Sequence, residues 1–322
     1  MRLTLLFLSD IDWEDMRYCL SRTLPRPSTA QLNRVDWIGY PLLVRPGEEE
    51  GSWAMVYGYS LAWGAKSMGL AEVPALCLEG SDLESGRCLQ ISYQHRCQFG
   101  EASLLEKSAL VGRLLRLAGY SEKEVIDTWL KALMLSPNRA TLDRLKCLAA
   151  WPLFLTEAAE VADLAPLVLL ALAELSLPEV EVLIPFFKNY RWTHSRQREI
   201  LRLLLDLSRL EEKSLRQICQ ECRLEETQPP EEAARPQQAE RVRRFLFGRR
   251  YPRLRQVEEN YRECRHALHL PPQIQLMEPA YFEGESYHLR FSFRNREEFE
   301  RALAFINDLP KRQVFEKLFD FL

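Results

Sequence analysis

The feature that most constrains this chain is a change in the spacing of its apolar residues near Gly100. Before it the apolar runs are short. Leu3 to Leu8, Pro41 to Arg45, Trp53 to Tyr57 and Val73 to Leu78 read as strands, since apolar runs of about four to eight residues bounded by turn signals suit a sheet. Between the last two, Ser60 to Met68 has helical spacing. Gly69 is placed to stop that helix, because the residue past a helix end often takes a positive φ. From Leu104 to Cys222 the leucines recur three and four residues apart, the pattern of amphipathic helices. A polar stretch with three prolines, Glu225 to Gln238, then breaks the pattern and reads as a linker. Beyond it come a helix (Leu254 to Leu268), a hairpin (Ile274 to Phe293), a helix (Arg296 to Leu309) and a short last helix. No internal repeat of fixed period is present. The expected fold is α+β and multi-domain. Residues 1–103 form an α/β domain, 104–224 an all-α domain, 225–240 a linker and 241–322 a small α+β domain.

Composition excludes several classes. With 47% hydrophobic residues in 322, the chain can bury real cores. No apolar run reaches the roughly 18 residues that a membrane span needs. The opening MRLTLLFLSDIDWED turns acidic at Asp10 without a small-residue cleavage site, so it reads as a strand rather than a signal peptide. Eight cysteines without a secretory leader then imply reduced thiols in a cytoplasmic protein. The close pair Cys219/Cys222 would need Cys264, His266 or His269 to complete a zinc site, at no standard spacing; two thiols packing on a helix is the simpler reading. Asp10, Asp12, Glu14 and Asp15 follow the first strand and read as solvated loop acids. The five histidines (95, 194, 266, 269, 288) have no nucleophile or carboxylate at a telling spacing. No metal and no catalytic residue are expected.

Net charge is −3, and its distribution says more than its total. Residues 1–110 carry ten Lys/Arg and fourteen Asp/Glu, and Cys147 to Phe187 holds six acids without a Lys or Arg. Lys188 to Arg202 has five basic residues and one acid, interleaved with Tyr190 and Trp192. Arg241 to Arg265 has nine arginines against three glutamates. An acidic chain with confined basic patches is suited to meeting a polyanion at defined surfaces; ordinary solvated helix faces are the plain alternative.

One stretch of the helical segment carries a more specific pattern. Ser121 with Glu124 is a capping box opening a helix. After a break at Met134-Leu135, Ser136 and Pro137 suit the N-cap and first position of a second helix. Leu142, Leu145 and Leu148 give that helix an inner face; Asn138, Arg139, Thr141 and Arg144 lie at its start or outer side, with Lys146 further on. Two helices so joined match a helix-turn-helix that reads the major groove, where arginine pairs with guanine and asparagine with adenine. A plain helical hairpin matches too. Lys188, Arg191, Arg196 and Arg198 are placed to clamp phosphate beside such a reader.

An ordered series of motifs resembles the chromosome-partitioning ParB-like family. Val56 to Ala65 followed by Gly69-Leu-Ala-Glu-Val-Pro-Ala75 is similar to its strand, Gly-x-x-Arg-Arg turn, helix and Gly-x-x-x-Val-Pro strand start. Tyr93-Gln-His-Arg96 sits where the family carries Asn-x-x-Arg, and Leu105-Glu106 resembles the start of its linking helix. Glu283-Gly284 and Asn295-Arg-Glu-Glu-Phe are similar to its dimerisation module. The resemblance implies a ParB-like N-terminal domain, a central helix-turn-helix that binds double-stranded DNA, and a C-terminal domain that makes a homodimer. In that family the arginines of the two motifs hold the triphosphate of CTP, which closes a DNA clamp and is slowly hydrolysed. Here the turn's arginines are Leu61 and Ala62, and Tyr93 replaces the asparagine. A triphosphate needs several charge-assisted donors, so a degenerate nucleotide site is expected, with Gly58, Tyr59, Ser60 and Arg96 as what remains to touch CTP. The same fold hosts sulfiredoxin-type enzymes, whose nucleophilic cysteine is replaced here by Tyr59. The other readings are a protein-interaction adaptor on a decayed ParB scaffold, its acidic 147–187 stretch meeting a basic protein partner, and a CTP-dependent DNA clamp with CTPase activity, which would need the missing arginines.

Overall fold

A computed structural model describes residues 2–21, 41–98, 100–222, 235–278 and 286–321. Its architecture is α+β. The chain divides into two compact units, one built on the chain up to Leu201, the other on the segment from Arg202 and on the chain from Gln237.

The first unit opens with a mixed five-stranded sheet. Its strands are β1 (Arg2–Phe7), β2 (Ile11–Asp12), β3 (Leu42–Pro46), β4 (Trp53–Tyr57) and β5 (Glu72–Cys77), in the order β1-β5-β3-β4-β2. β1 runs antiparallel to β5 and β3 antiparallel to β4, while β5/β3 and β4/β2 are parallel. Side chains alternate across the sheet. Leu6, Leu42, Val44, Met55, Val73, Ala75 and Cys77 share a buried cluster with Tyr59, Ala62 and Ala65 of helix α1 (Tyr59–Ser67). The second helix, α2 (Ser85–Cys97), packs against β4. Its polar sequence buries Cys88, Leu89, Ile91 and Ser92, too few to announce a helix by periodicity.

The all-helical part follows. Helix α3 (Leu104–Arg116) is opened by a capping box of Ser103 and Glu106. Helix α4 (residues 122–132) is opened by the expected Ser121/Glu124 box, and its middle, Val125–Trp129, is π-helical. Helix α5 (Arg139–Ala150) buries Leu142, Leu145 and Leu148 as expected, but its N-cap is Asn138 rather than Ser136. The Asn138 side chain accepts from Thr141 N at 2.8 Å, placing the cap two residues later than Ser136 would. Helix α5 packs on α3, and Gly112 makes the approach possible: a Cβ there would lie 2.9 Å from Ala149 Cβ. Helices α6 (Leu153–Val161), α7 (Pro166–Leu172), α8 (Leu177–Tyr190) and α9 (His194–Leu210) continue the pattern. The division between units falls within α9.

The second unit holds α10 (Leu215–Glu221), α11 (Arg235–Arg250), α12 (Pro252–Ala267), a two-stranded antiparallel sheet of β6 (Ile274–Met277) and β7 (His288–Phe291), α13 (Arg296–Asp308) and α14 (Gln313–Glu316). One expectation changes here. Residues 235–240 are helical rather than linker, since α11 starts at Arg235 and buries Ala239 and Val242; residues 225–234 lie outside the described residues. Every β7 residue is exposed or half-buried: Leu289 faces the buried Leu276 across the pair yet stays exposed, as does Phe293 beyond the strand. Glu283 and Gly284 lie outside the described residues. Among the described residues no helix is long and apolar enough to cross a membrane.

Candidate nucleic-acid interface and the α1 turn

The first turn of α5 stands clear of the protein: Asn138, Arg139 and Ala140 are exposed, and Met134, at φ 56°, protrudes from the turn before it. The three cations expected to contact DNA from this helix, Arg139, Arg144 and Lys146, are all ion-paired. Glu122, on the first turn of α4, bonds both Arg139 and Lys146, the latter at 2.6 Å. Asp143 holds Arg139 from one turn on at 3.1 Å. Arg144 donates to Glu174, beyond the end of α7, at 2.7 Å through its Nε. Bonds from Lys146 and then Arg139 keep the Glu122 carboxyl below the usual carboxylate range. Two flanks result. Arg139 and Lys146 lean towards α4, and Arg144 leans towards the α7–α8 turn. Asp143 is a neighbour on the same helix, but Glu122 and Glu174 are 17 to 30 residues away in sequence, which periodicity cannot register.

The 188–202 segment is built differently from its sequence reading. Tyr190 and Trp192 are not available to stack on bases: both are buried in a cluster with Phe186 and Phe187. The aromatic rings fill the core, and the charged residues between them are left on the surface. Lys188, Arg191, Arg196 and Arg198 are exposed, with Arg196 paired to Glu199 at 2.5 Å. Arg191 takes a left-handed conformation that ends α8. The segment is held by a residue that sequence reasoning passed over, Gln197. Its side chain is buried, accepts from Ala165 N at 2.7 Å, and donates to the carbonyls of Asp163 and Trp192 at 2.9 and 3.1 Å. A lone glutamine in a basic stretch gives no advance signal of this.

In the basic Arg241 to Arg265 stretch, five of the nine arginines are ion-paired within their unit. Arg249 bonds Glu211 and Glu221, Arg250 bonds Asp206, Arg243 and Arg244 share Glu240, and Arg255 bonds Glu259. The Arg249 and Arg250 pairs tie α11 to α10 and to the end of α9.

At the α1 turn the four residues expected to remain for a nucleotide have other work. Gly58 caps α1 at φ 101°, and a Cβ there would come within 2.7 Å of Leu42 Cδ2. Tyr59 is buried, its hydroxyl donating to Met55 O at 2.6 Å, and burial pushes its pKa far up. Ser60 is half-buried beside it. Ala62 is fully buried in the sheet–helix core and Leu61 packs against the same core, so the positions that would carry arginines face inward or against it. Arg96 grips Glu106 with two bonds of 2.6 and 2.9 Å, and the same carboxylate completes the Ser103 capping box. Glu106 thus takes the cation that a phosphate would need. Nearby, burial pushes Tyr57 up to about 12, with His95 against its ring at 5.4 Å.

The acid cluster after β1 is not wholly solvated. Asp12 accepts from the backbone of Glu14 and Asp15, and the buried Asp15 grips Arg17 with bonds of 2.7 to 3.0 Å. Burial works against its charge, but the Arg17 bonds outweigh it and lower its pKa. None of the eight cysteines is in a disulfide. Cys219 and Cys222 lie on α10 and just past its end, and among the described residues no group of three or more metal-capable side chains converges. His266 and His269 instead line an open groove with Arg265, Gln275, Met277 and Glu278, between the end of α12 and β6.

No family model matches the chain, and no curated protein matches it. Among solved structures it is similar to the C-terminally truncated chromosome-partitioning protein ParB from Caulobacter crescentus. One such structure, complexed with CTP-gamma-S, is 18% identical, with 58% of this chain and 99% of that one covered and a TM-score of 0.22. Another, complexed to the centromeric parS site, is 18% identical, with 62% and 98% covered and a TM-score of 0.30.

Proposed function

We propose that this chain is a cytoplasmic DNA-binding protein of ParB-like architecture, reading duplex DNA through α4 and α5 with Asn138, Arg139, Thr141, Arg144 and Lys146 at the contact. One observation carries the reading: the polar first turn of α5 is the free end of a helix whose opposite face is buried on α3. That leaves a stiff, cation-bearing edge of the size that enters a major groove. The cations are neutralised by Glu122, Asp143 and Glu174 in the absence of DNA, and these acids compete with phosphate for them, so that only part of the set is engaged on binding. Lys188, Arg191, Arg196 and Arg198 add backbone contacts. The nucleotide site is degenerate, because Ala62 is buried and Arg96 is committed to Glu106. Two chains pair through the C-terminal unit, where Met277, Leu289, Phe293, Leu303 and Phe319 are exposed apolar residues. The domain layout of N-terminal α/β part, central reader, linker and C-terminal pairing module belongs to the same reading.

Binding to mixed-sequence duplex DNA at two salt concentrations, with and without CTP, tests it alongside an Arg139→Ala/Arg144→Ala variant. Salt-sensitive binding that falls in the variant and ignores CTP is expected. Absence of binding at low salt would reject DNA reading, and a CTP effect would reject the degenerate site. A second reading has its own observation. Helix α6 exposes Leu153, Phe154 and Val161 with Glu157 between them, an apolar and acidic face suited to a basic protein partner. It is the adaptor reading, and it predicts that the Arg139/Arg144 variant changes nothing.

A further inference from the structure

Three of the chain's five histidines stand on one surface of the second unit. His266 and His269 line the open groove between the end of α12 and β6 together with Arg265, and the groove has a volume of about 770 Å³. Its shape is fixed by local bonds. His269 leaves α12 in a left-handed conformation, φ 47°, which turns the chain towards β6. Arg312 donates to the Leu268 carbonyl at 2.9 Å, and the Ile274 amide donates to Pro271 O at 2.9 Å, so the segment between helix and strand is held at both ends. The third histidine, His288, lies opposite Met277 on β7, and Arg290 lies opposite Gln275; Met277 and Gln275 both line the groove. Residues directly opposed across an antiparallel pair share a face, so the basic surface continues from the groove onto β7.

These groups differ from the other cations of the unit. Arg243, Arg244, Arg249, Arg250, Arg255 and Arg312 each hold a carboxylate. Among the described residues Arg265, His266, His269, His288 and Arg290 have no ion-pair partner. The one acid lining the groove, Glu278, is turned to another group: it lies by the Tyr261 hydroxyl, whose pKa is pushed up by burial and then by this carboxylate. The end of α12 supplies only about half a negative charge, too little to cancel Arg265. The groove is therefore an uncompensated basic site. A guanidinium beside two imidazoles offers more donors than a carboxylate, with one charge and two oxygens, can use. A phosphomonoester brings close to two charges and three strong acceptor oxygens. The volume is in the range of small-molecule clefts, roughly 300–1,000 Å³, and exceeds what a phosphate alone would fill. Leu270, Pro271 and Pro272 give the remainder an apolar lining. We propose that this groove binds a small organic phosphate, its phosphate held by Arg265, His266 and His269 and its apolar body against the two prolines. The site lies apart from the α1 turn and from α5, and it does not rest on the DNA reading.

Calorimetric titration of the full chain with phenyl phosphate, inorganic phosphate, benzoate and phenol tests it. Saturable binding is expected, tightest for phenyl phosphate, weaker for inorganic phosphate and benzoate, and absent for phenol. Arg265→Ala is expected to weaken phenyl phosphate by about tenfold or more, the loss of a charge-assisted hydrogen bond. His269→Asn is expected to weaken it as well, asparagine being chosen because it accepts the left-handed backbone. Both positions are exposed, so melting temperatures are expected to hold. The Arg139→Ala/Arg144→Ala variant is expected to bind phenyl phosphate like the parent chain, which separates this site from the α5 surface. No saturable binding of phenyl phosphate overturns the proposal, as does equal binding by the Arg265 and His269 variants or benzoate binding as tightly as phenyl phosphate. Duplex DNA is the other source of phosphate: if it alone binds, and both groove variants weaken it, the surface holds a nucleic-acid backbone and the small-ligand assignment falls.

Discussion

Replacing Glu122 by Gln tests the α5 surface most directly. Its carboxylate bonds Arg139 and Lys146 together, and both are partly exposed, so removing its charge releases cations towards solvent without opening a cavity. Asp143 keeps some hold on Arg139 at 3.1 Å, so between one and two cations are freed for phosphate. Each phosphate contact adds about 0.9 to the slope of log affinity against log salt, so the slope steepens by roughly 0.9 to 1.8. Over a fourfold rise in salt that is about a 3- to 12-fold greater loss of affinity for the variant than for the parent chain. The variant therefore binds more tightly at low salt, and its advantage shrinks as salt rises. Fluorescence anisotropy with a mixed-sequence duplex across a salt series measures both. Adding Asp143→Asn is expected to move the slope to the upper end, and Glu157→Gln, on the exposed face of α6, is expected to leave it alone. An unchanged slope in the Glu122 variant would mean that these cations never meet phosphate, and the reading of α5 as a DNA surface would fall with it.

Other expectations concern the scaffold. Gln197→Leu strands the Ala165 amide and the Trp192 carbonyl in the interior; a loss of about 3 kcal/mol in denaturant unfolding, at constant m, is expected from the roughly 1–3 kcal/mol that each unsatisfied buried group costs. A loss below about 1 kcal/mol would mean that water replaces the side chain. Gly58→Ala forces a Cβ into Leu42 at positive φ and is expected to cost about 1–3 kcal/mol, read as a lower melting temperature; a neutral result would contradict the tight α1 turn. Bonds from Arg243, and secondly Arg244, hold Glu240 at about 2 against an ordinary 4.5. A depressed folded pKa stabilises fully above the ordinary value, so this contribution is lost as pH falls from about 4.5 towards 2. Glu240→Gln should flatten the thermal stability profile in that window, and an unaltered profile would show that the carboxylate is not held.

The regular elements were legible wherever local pattern suffices. β4, expected at Trp53 to Tyr57, has those bounds, and α1 and α12 to α13 begin within two residues of their expected starts, because spacing, caps and breakers act over a few residues. Helix α2 was hidden by its polar sequence, and the start of α11 by a proline and charges that read as linker. Residue type also marked which positions on α5 carry cations. What these cations touch was not legible: Glu122 reaches them from α4 and Glu174 from the turn after α7, and Glu106 reaches Arg96 only once α2 and α3 are side by side. The aromatic residues of the 188–202 segment show the same limit, since a Trp between basic residues reads alike whether its ring is in the core or on the surface. Sequence by itself determined the order and kind of the elements, through hydrophobic period and capping chemistry. Tertiary structure alone decided which charges are spent on each other and which apolar faces stay open, because both depend on partners brought together by packing rather than by position along the chain.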